Sequence, residues 1–231
     1  MNIKALDVTK SDTINQCVSE ILEEEGQIDI LINNAGAGFI RTTEHASEEE
    51  MMWQFDVNLM GTIHCTKSVL PSMRQNNGGH VINITSVGGL IGQPFNELYC
   101  AAKFGVEGYT ESMASYIQPA FNINFTAIEP GGIRSEFATN VLEQFQAGGG
   151  MKDDAYKSLL EAYIASAQGR ADSGIYQTSE DVAGVILSCI EMKEPPIRMR
   201  TSEWGEEFTK YKTKADPTGK LAQSAVAFNL K

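Results

Sequence analysis

In the run Leu98–Val106 a phenol and an ammonium, Tyr99 and Lys103, stand four residues apart among helix-forming residues. The spacing predicts that both side chains share one face of a helix. A phenol titrates near ~10 and exchanges protons poorly at neutral pH unless a neighbouring cation stabilises the phenolate. Lys103 is placed to be that cation. Each tenfold gain in acidity takes ~1.4 kcal/mol, which only a close and partly desolvated ammonium supplies. Taken alone, Tyr-x-x-x-Lys more often marks an aromatic edge beside a solvated amine, and what lies upstream changes that reading. His80–Gly89 reads as a buried strand, Val81–Thr85, that breaks into Ser86-Val87-Gly88-Gly89. Ser86 therefore falls at the carboxyl end of a strand, where open parallel sheets place their ligands.

Two further strand ends fit the same plan. Ile28–Gly36 breaks into Asn33-Asn34-Ala35-Gly36, Asn124–Ser135 breaks into Pro130-Gly131-Gly132-Ile133, and Asn58 stands in Asp-Val-Asn-Leu-Met-Gly. Over about residues 3–192 these five signals, in this order, together resemble the classical short-chain dehydrogenase/reductase family. The resemblance implies an oxidoreductase that uses NAD or NADP and moves hydride to or from a small-molecule carbonyl or alcohol substrate. It implies Tyr99 as general acid/base, with Lys103 lowering the Tyr99 pKa and hydrogen-bonding the nicotinamide ribose. It also implies that Ser86 holds and polarises the reacting oxygen and that Asn58 anchors a water relay at a helix irregularity. By position, Asp7 and Val8 are implied to lie against the adenine, and Asn33, Ala35 and Gly36 to border the adenosine ribose. Pro130 and Gly131 are implied at the nicotinamide, Ile133 at its carboxamide, and Ser135 where threonine is usual. Through the Glu48–Met73 helix and the Tyr99 helix the resemblance implies a homodimer or homotetramer.

The elements that must position these groups follow from patterning. Their alternation predicts an α/β chain: a Rossmann-like doubly wound parallel sheet with helices on both faces, formed as a single domain over residues 1–231. Expected helices are Lys10–Glu25, Glu48–Met73 opened by Ser47 and three glutamates, Tyr99–Gln118 ending near Pro119, Lys152–Ala167, and Val182–Met192 capped by Ser179-Glu180-Asp181. Expected strands are Ile3–Leu6, Ile28–Ile32, Val81–Thr85, Ile123–Ile128 and Ile197–Thr201. Residues 136–178 match the place of the family's substrate lid, or form a plain helical hairpin at the rim. In the tail, residues 202–231, Trp204, Phe208 and Tyr211 recur at helical spacing and are expected to pack on the body.

The beginning departs from the family pattern. Ile3–Leu6 corresponds to the third strand of the doubly wound order, so a first strand, a Gly-rich phosphate turn and a second strand, at least ~30 residues, are expected ahead of it. The sheet is then N-terminally incomplete. Either the strand at Ile3 pairs directly with the strand at Ile28, or it frays and leaves an apolar sheet edge. Gly36-Ala37-Gly38 lacks a third glycine and a following helix, and is no substitute phosphate turn. The competing reading is a non-catalytic remnant, a dimerising scaffold that cannot hold a dinucleotide. A serine hydrolase is weaker still, since Ser86 has no Gly-x-Ser-x-Gly elbow.

Composition narrows the partners. A net charge of −12 argues against nucleic acid and anionic membrane surfaces. The absence of a run of eighteen apolar residues argues against a membrane span, and the cytoplasm is the expected compartment. Cys17, Cys65, Cys100 and Cys189 are scattered singly, and His45, His64 and His80 are unpaired, so no metal site is expected.

Overall fold

The computed structural model describes residues 2–227. In chain order the strands are β1 (Ile30–Asn33), β2 (Gly79–Ile84), β3 (Ile123–Glu129), β4 (Ile133–Arg134), β5 (Gln177–Thr178) and β6 (Arg198–Arg200). The helices are α1 (Ser11–Glu25), α2 (Glu48–Phe55), α3 (Gly61–Gln75), α4 (Glu97–Phe121), α5 (Glu136–Ala147), α6 (Lys157–Asp172), α7 (Ser179–Glu191), α8 (Glu203–Thr213) and α9 (Lys220–Ala227). The main sheet is parallel throughout, in the order β1-β2-β3-β6. β4 and β5 form a separate parallel pair that brings the two ends of the segment 133–178 together.

Register sorts the side chains onto two faces. Leu31, Val81 and Phe125 are aligned across β1, β2 and β3. On their face α1, α3 and α4 bury Ile14, Val69, Met73, Met113 and Ile117. On the opposite face α7 buries Cys189 against Ile82 and Ile128. Burying one such side chain is worth roughly 1.5–3 kcal/mol, so these two layers hold the strand ends in place.

The α/β reading holds, with differences that have physical causes. Ile3–Leu6 forms no strand: Ile3 is 84% exposed, and the Lys4 ammonium is drawn to Glu20 and Glu24 of α1 at 3.1 and 2.7 Å. Without a ladder partner the segment follows α1 instead of β1. Ile28–Ile32 was expected to be covered on both faces, yet Ile30 and Ile32 are 38% and 42% exposed, because the α7 layer reaches β2, β3 and β6 only. β1 is thus the open edge, and beside it a cleft of about 670 Å³ runs past Leu6, Val8, Ile14 and Asn33 to Ala35.

The expected Glu48–Met73 helix is broken by a π-helical turn, Asp56–Met60, between α2 and α3. Ser47 and Glu50 form a reciprocal capping box at the start of α2, as the Ser-Glu-Glu-Glu signature implies. Pro119 does not end α4, which runs on to Phe121 and closes at Asn122 in the left-handed region, φ +54°. Thr178, not Ser179, caps α7, through a capping box with Asp181. α6 begins five residues later than the expected Lys152, at Lys157. Trp204 stacks on Phe208 with ring centroids 4.9 Å apart, but Tyr211 is 86% exposed, with the Lys210 ammonium 5.3 Å from its ring centre. Residues 228–231 of the expected tail lie outside the described residues.

Candidate active site

The carboxyl ends of β1, β2 and β3 open on one side of the sheet, and α4 crosses beneath them. Tyr99 sits in the first turn of α4, and Lys103 one turn on. Ser86 ends the segment that follows β2; its Oγ accepts from the Gly88 amide at 2.9 Å and caps a short 3-10 turn, Val87–Gly89, which fixes its direction. The Ser86 hydroxyl acts on the Tyr99 phenol, favouring its charged form. A Cβ built on Gly88 would stand 3.3 Å from both the Ser86 Oγ and the Tyr99 ring, so glycine keeps the approach open.

Lys103 is buried, and its Nζ donates to the Ile84 carbonyl at 2.9 Å. The same Nζ lies 5.8 Å from the centre of the Tyr99 ring. Asn58, fully buried in the π-turn, accepts from the Ala37 amide at 3.1 Å and donates to the Ala37 and Gln54 carbonyls at 2.8 and 3.1 Å. The irregular turn after β1 is thereby pinned against α2. A Cβ on Gly36 would meet the Asn58 Oδ1 at 3.1 Å and the Lys103 Nζ at 3.5 Å. All four residues singled out for chemistry thus converge.

The electrostatics differ from the expectation. Burial pushes the Tyr99 phenol up to about 12, with the Ser86 hydroxyl opposing, and pulls Lys103 down to about 8. Desolvation disfavours the charged form of each. At neutral pH this structure therefore presents a protonated phenol beside a still largely protonated amine.

Of the residues expected at the cofactor, Val8, Asn33 and Ala35 line the cleft at the β1 edge. The Asn33 side chain itself turns inward, donating to Thr66 and Asn83 at 3.1 and 2.8 Å. Asp7 binds the Thr9 amide and hydroxyl at 3.0 and 2.6 Å, which holds its carboxyl down at about 2 and ties it to the turn before α1. Pro130 accepts from the Val87 amide at 2.9 Å, joining its corner to the Ser86 turn. Gly131 faces the Trp204 ring, where a Cβ would come within 2.8 Å. Ile133 lies in β4, and Ser135 caps α5 with its Oγ 3.4 Å from the Phe137 amide.

Two contributors, Phe137 and Gln54, escaped the sequence reading. Phe137 of α5 lies 6.1 Å from the Tyr99 ring and, with Val141, presses on Gly38, so α5 reaches the phenol. Phe95, expected as an apolar wall, clusters with Phe145 of α5 and Leu160 of α6. Gln54, fully buried, donates to the Ala37 carbonyl at 2.9 Å. Its only signal was a polar residue one turn before Asn58. Among the described residues no cluster of His, Cys, Asp and Glu could hold a metal ion, and no helix is long and apolar enough to cross a membrane. Of the free cysteines, Cys65, Cys100 and Cys189 are buried.

Comparison with known proteins bears on the family and the fold. The family described as short chain dehydrogenase matches residues 1–146. A retinol dehydrogenase 8 from Bos taurus is 34% identical over 96% of the chain and 70% of its own length. A 3-ketodihydrosphingosine reductase from Bacteroides thetaiotaomicron is 34% identical over 84% of the chain and 70% of its own length. The solved structure of a short chain dehydrogenase/reductase from Burkholderia phymatum in complex with NAD superposes with a TM-score of 0.74 at 23% identity, covering 89% of this chain and 72% of that one.

Proposed function

Since the chain belongs to the short-chain dehydrogenase family of oxidoreductases, we propose that it transfers hydride between NAD or NADP and a carbonyl or alcohol, with Tyr99 as the general acid/base. The observation that carries this reading is the convergence of Ser86, Tyr99, Lys103 and Asn58 at the carboxyl ends of β1 and β2. The nicotinamide end of such a cofactor fits the residues present. Gly36 leaves a cradle between Asn58 and Lys103 that a Cβ would fill, and Lys103 uses one of its three hydrogens on Ile84. Lys103 would hold the ribose, Pro130, Gly131, Ile133 and Ser135 would border the nicotinamide, and Val8, Asn33, Ala35 and Gly36 would line the adenosine side, with Asp7 at its margin. Bound there, the cofactor supplies or accepts the hydride.

The residues of the chain do the rest. Ser86 holds the substrate oxygen by its hydroxyl, and Tyr99, protonated at neutral pH, donates to that oxygen as the carbonyl is reduced. Lys103 then stabilises the phenolate left behind, and its proton supply is renewed along the Asn58 turn. Positioned proton transfer of this kind contributes typically 10²–10⁴-fold. Phe137 closing over Tyr99, with the apolar cluster under the lid, excludes water and favours an apolar substrate body. Exposed Met52, Trp53, Met60 and Phe104 on α2, the π-turn and α4 support a homo-oligomer built on that face.

A second reading has its own support. β1 is the open edge of the sheet, and no Gly-rich strand-to-helix turn follows it to accept a pyrophosphate, because the next helix after Gly36-Ala37-Gly38 starts only at Glu48. On that reading the chain is a non-catalytic scaffold. Titrating NADH and NADPH into the purified chain and following fluorescence separates the two. Saturable binding, with turnover that Tyr99→Phe lowers about 10²–10⁴-fold while affinity stays within severalfold, supports the enzyme. Absent binding, or undiminished turnover in Tyr99→Phe, refutes it.

A further inference from the structure

Glu107 is the buried carboxyl for which the proposed reaction has no use. It lies on α4 one turn beyond Lys103, is 5% exposed, and neither of its oxygens has a hydrogen-bond donor among the described residues. Glu129, at the end of β3, is wholly buried; its Oε2 accepts from the Arg200 Nη1 at 3.0 Å, and its Oε1 has no donor. The two carboxyls face each other beside the Thr85 hydroxyl. Two arginines stand near them. Arg198 of β6 pairs with Glu111 at 3.0 Å, lies 3.9 Å from Asp216 and keeps a buried Nε without an acceptor, and Arg200 reaches Glu206 at 3.0 Å as well as Glu129. The 3-10 turn brings only Gly89, whose added Cβ would come within 3.0 Å of the Glu107 Cγ, and α4 itself brings Lys103.

Two adjacent buried carboxylates with one arginine between them repel each other and leave oxygens without donors. One proton removes the repulsion and pairs two of the three orphaned oxygens, because the protonated acid donates to the ionised one. Arg200 already holds Glu129 in its charged form, so the proton belongs on Glu107. We propose that Glu107 is a positioning residue for the Tyr99–Lys103 pair, a neutral acid that donates its proton to Glu129 and so leaves the Lys103 ammonium uncancelled one turn away. The role assigned to Lys103 rests on the catalytic reading given above; the protonation state of Glu107 does not. An ionised Glu107 would draw the ammonium toward itself and spend on a neighbouring anion the field that the phenolate needs. The neutral acid instead ties α4, which carries Tyr99, to the end of β3 and to the turn that carries Ser86. Burial and the Glu129 charge both push the Glu107 carboxyl well above the ordinary range, with Thr85 and Arg198 opposing.

Urea unfolding of wild type and Glu107→Gln across pH 4–9 tests the protonation. Glutamine keeps a donor toward Glu129 but cannot ionise. The folded wild type retains a proton that the unfolded chain releases above ~4.3, so the ratio of unfolding constants, wild type over Glu107→Gln, should grow about tenfold per pH unit above that point. A ratio that stays flat, or that falls, overturns the proposal. Infrared spectra at neutral pH should show a protonated-carboxyl band in wild type that is absent from Glu107→Gln; a band missing from wild type, or surviving in the variant, also overturns it. The Lys103 Cε resonance should titrate at the same pH in both proteins, whereas a downward move in Glu107→Gln would mean that Glu107 was charged. None of these measurements needs turnover, so a chain without activity sinks the catalytic reading and leaves this one standing.

Discussion

Replacing Lys103 by methionine should make the protein more stable and less active, and the size of the gain follows from where the amine sits. Lys103 is 5% exposed, and burial lowers it from 10.5 to about 8. A change of about two and a half pH units corresponds to about 3 kcal/mol of penalty on the charged form. Methionine has nearly the same length, removes that penalty, and forfeits the bond from Nζ to the Ile84 carbonyl, worth about 1 kcal/mol. Lys103→Met should therefore gain about 2 kcal/mol at pH 7. The sign with pH is fixed: the unfolded amine holds its proton up to ~10.4 and the folded one only to about 8, so wild type gains stability between those values. Below pH 8 the advantage of the variant is constant, and by about pH 10.4 it has vanished or reversed. Urea titrations at closely spaced pH values, with unchanged m-values, measure this directly. A variant less stable than wild type at pH 7, or a difference indifferent to pH, would refute the reasoning and make Lys103 a structural residue. In an active preparation the same variant should lose most of its turnover.

Phe125, 1% exposed where α1, α3 and α4 meet the sheet, should cost about 3–5 kcal/mol as Phe125→Ala, read as a lower urea midpoint. His80 is buried with its Nε2 2.9 Å from the Thr126 hydroxyl, and burial lowers it to about 4. The unfolded chain takes up a proton near ~6.5 that the folded chain refuses, so stability should fall as pH drops from about 6.5 to about 4. The loss is at most about 3 kcal/mol and should be absent in His80→Gln.

The residues proposed to carry the chemistry could be picked out because local signals in the sequence mark them and their order resembles a family pattern. Ser86 follows an apolar run and precedes two glycines, and Tyr99 and Lys103 share a helical face by spacing alone. The Ser47–Glu50 capping box was equally local. Of the two outcomes expected for Ile3–Leu6, the structure shows the second, no pairing and an open apolar edge, for a reason of a different kind. Its residues suit a strand, but a strand needs a neighbour to take its hydrogen bonds, and β1 does not pair with it. The approach of Phe137 to Tyr99 and of Glu107 to Glu129 was invisible, since each joins residues that only the packing of separate elements brings together.

The sequence by itself determined the alternation of strands and helices, the parallel sheet, and the face of α4 that carries the phenol and the ammonium, because periodicity and breaks are properties of neighbouring residues. Only the tertiary structure decided the charge state of those groups. Desolvation and buried like charges depend on what closes around a side chain, and what closes around Tyr99 and Lys103 comes from elements far away along the chain.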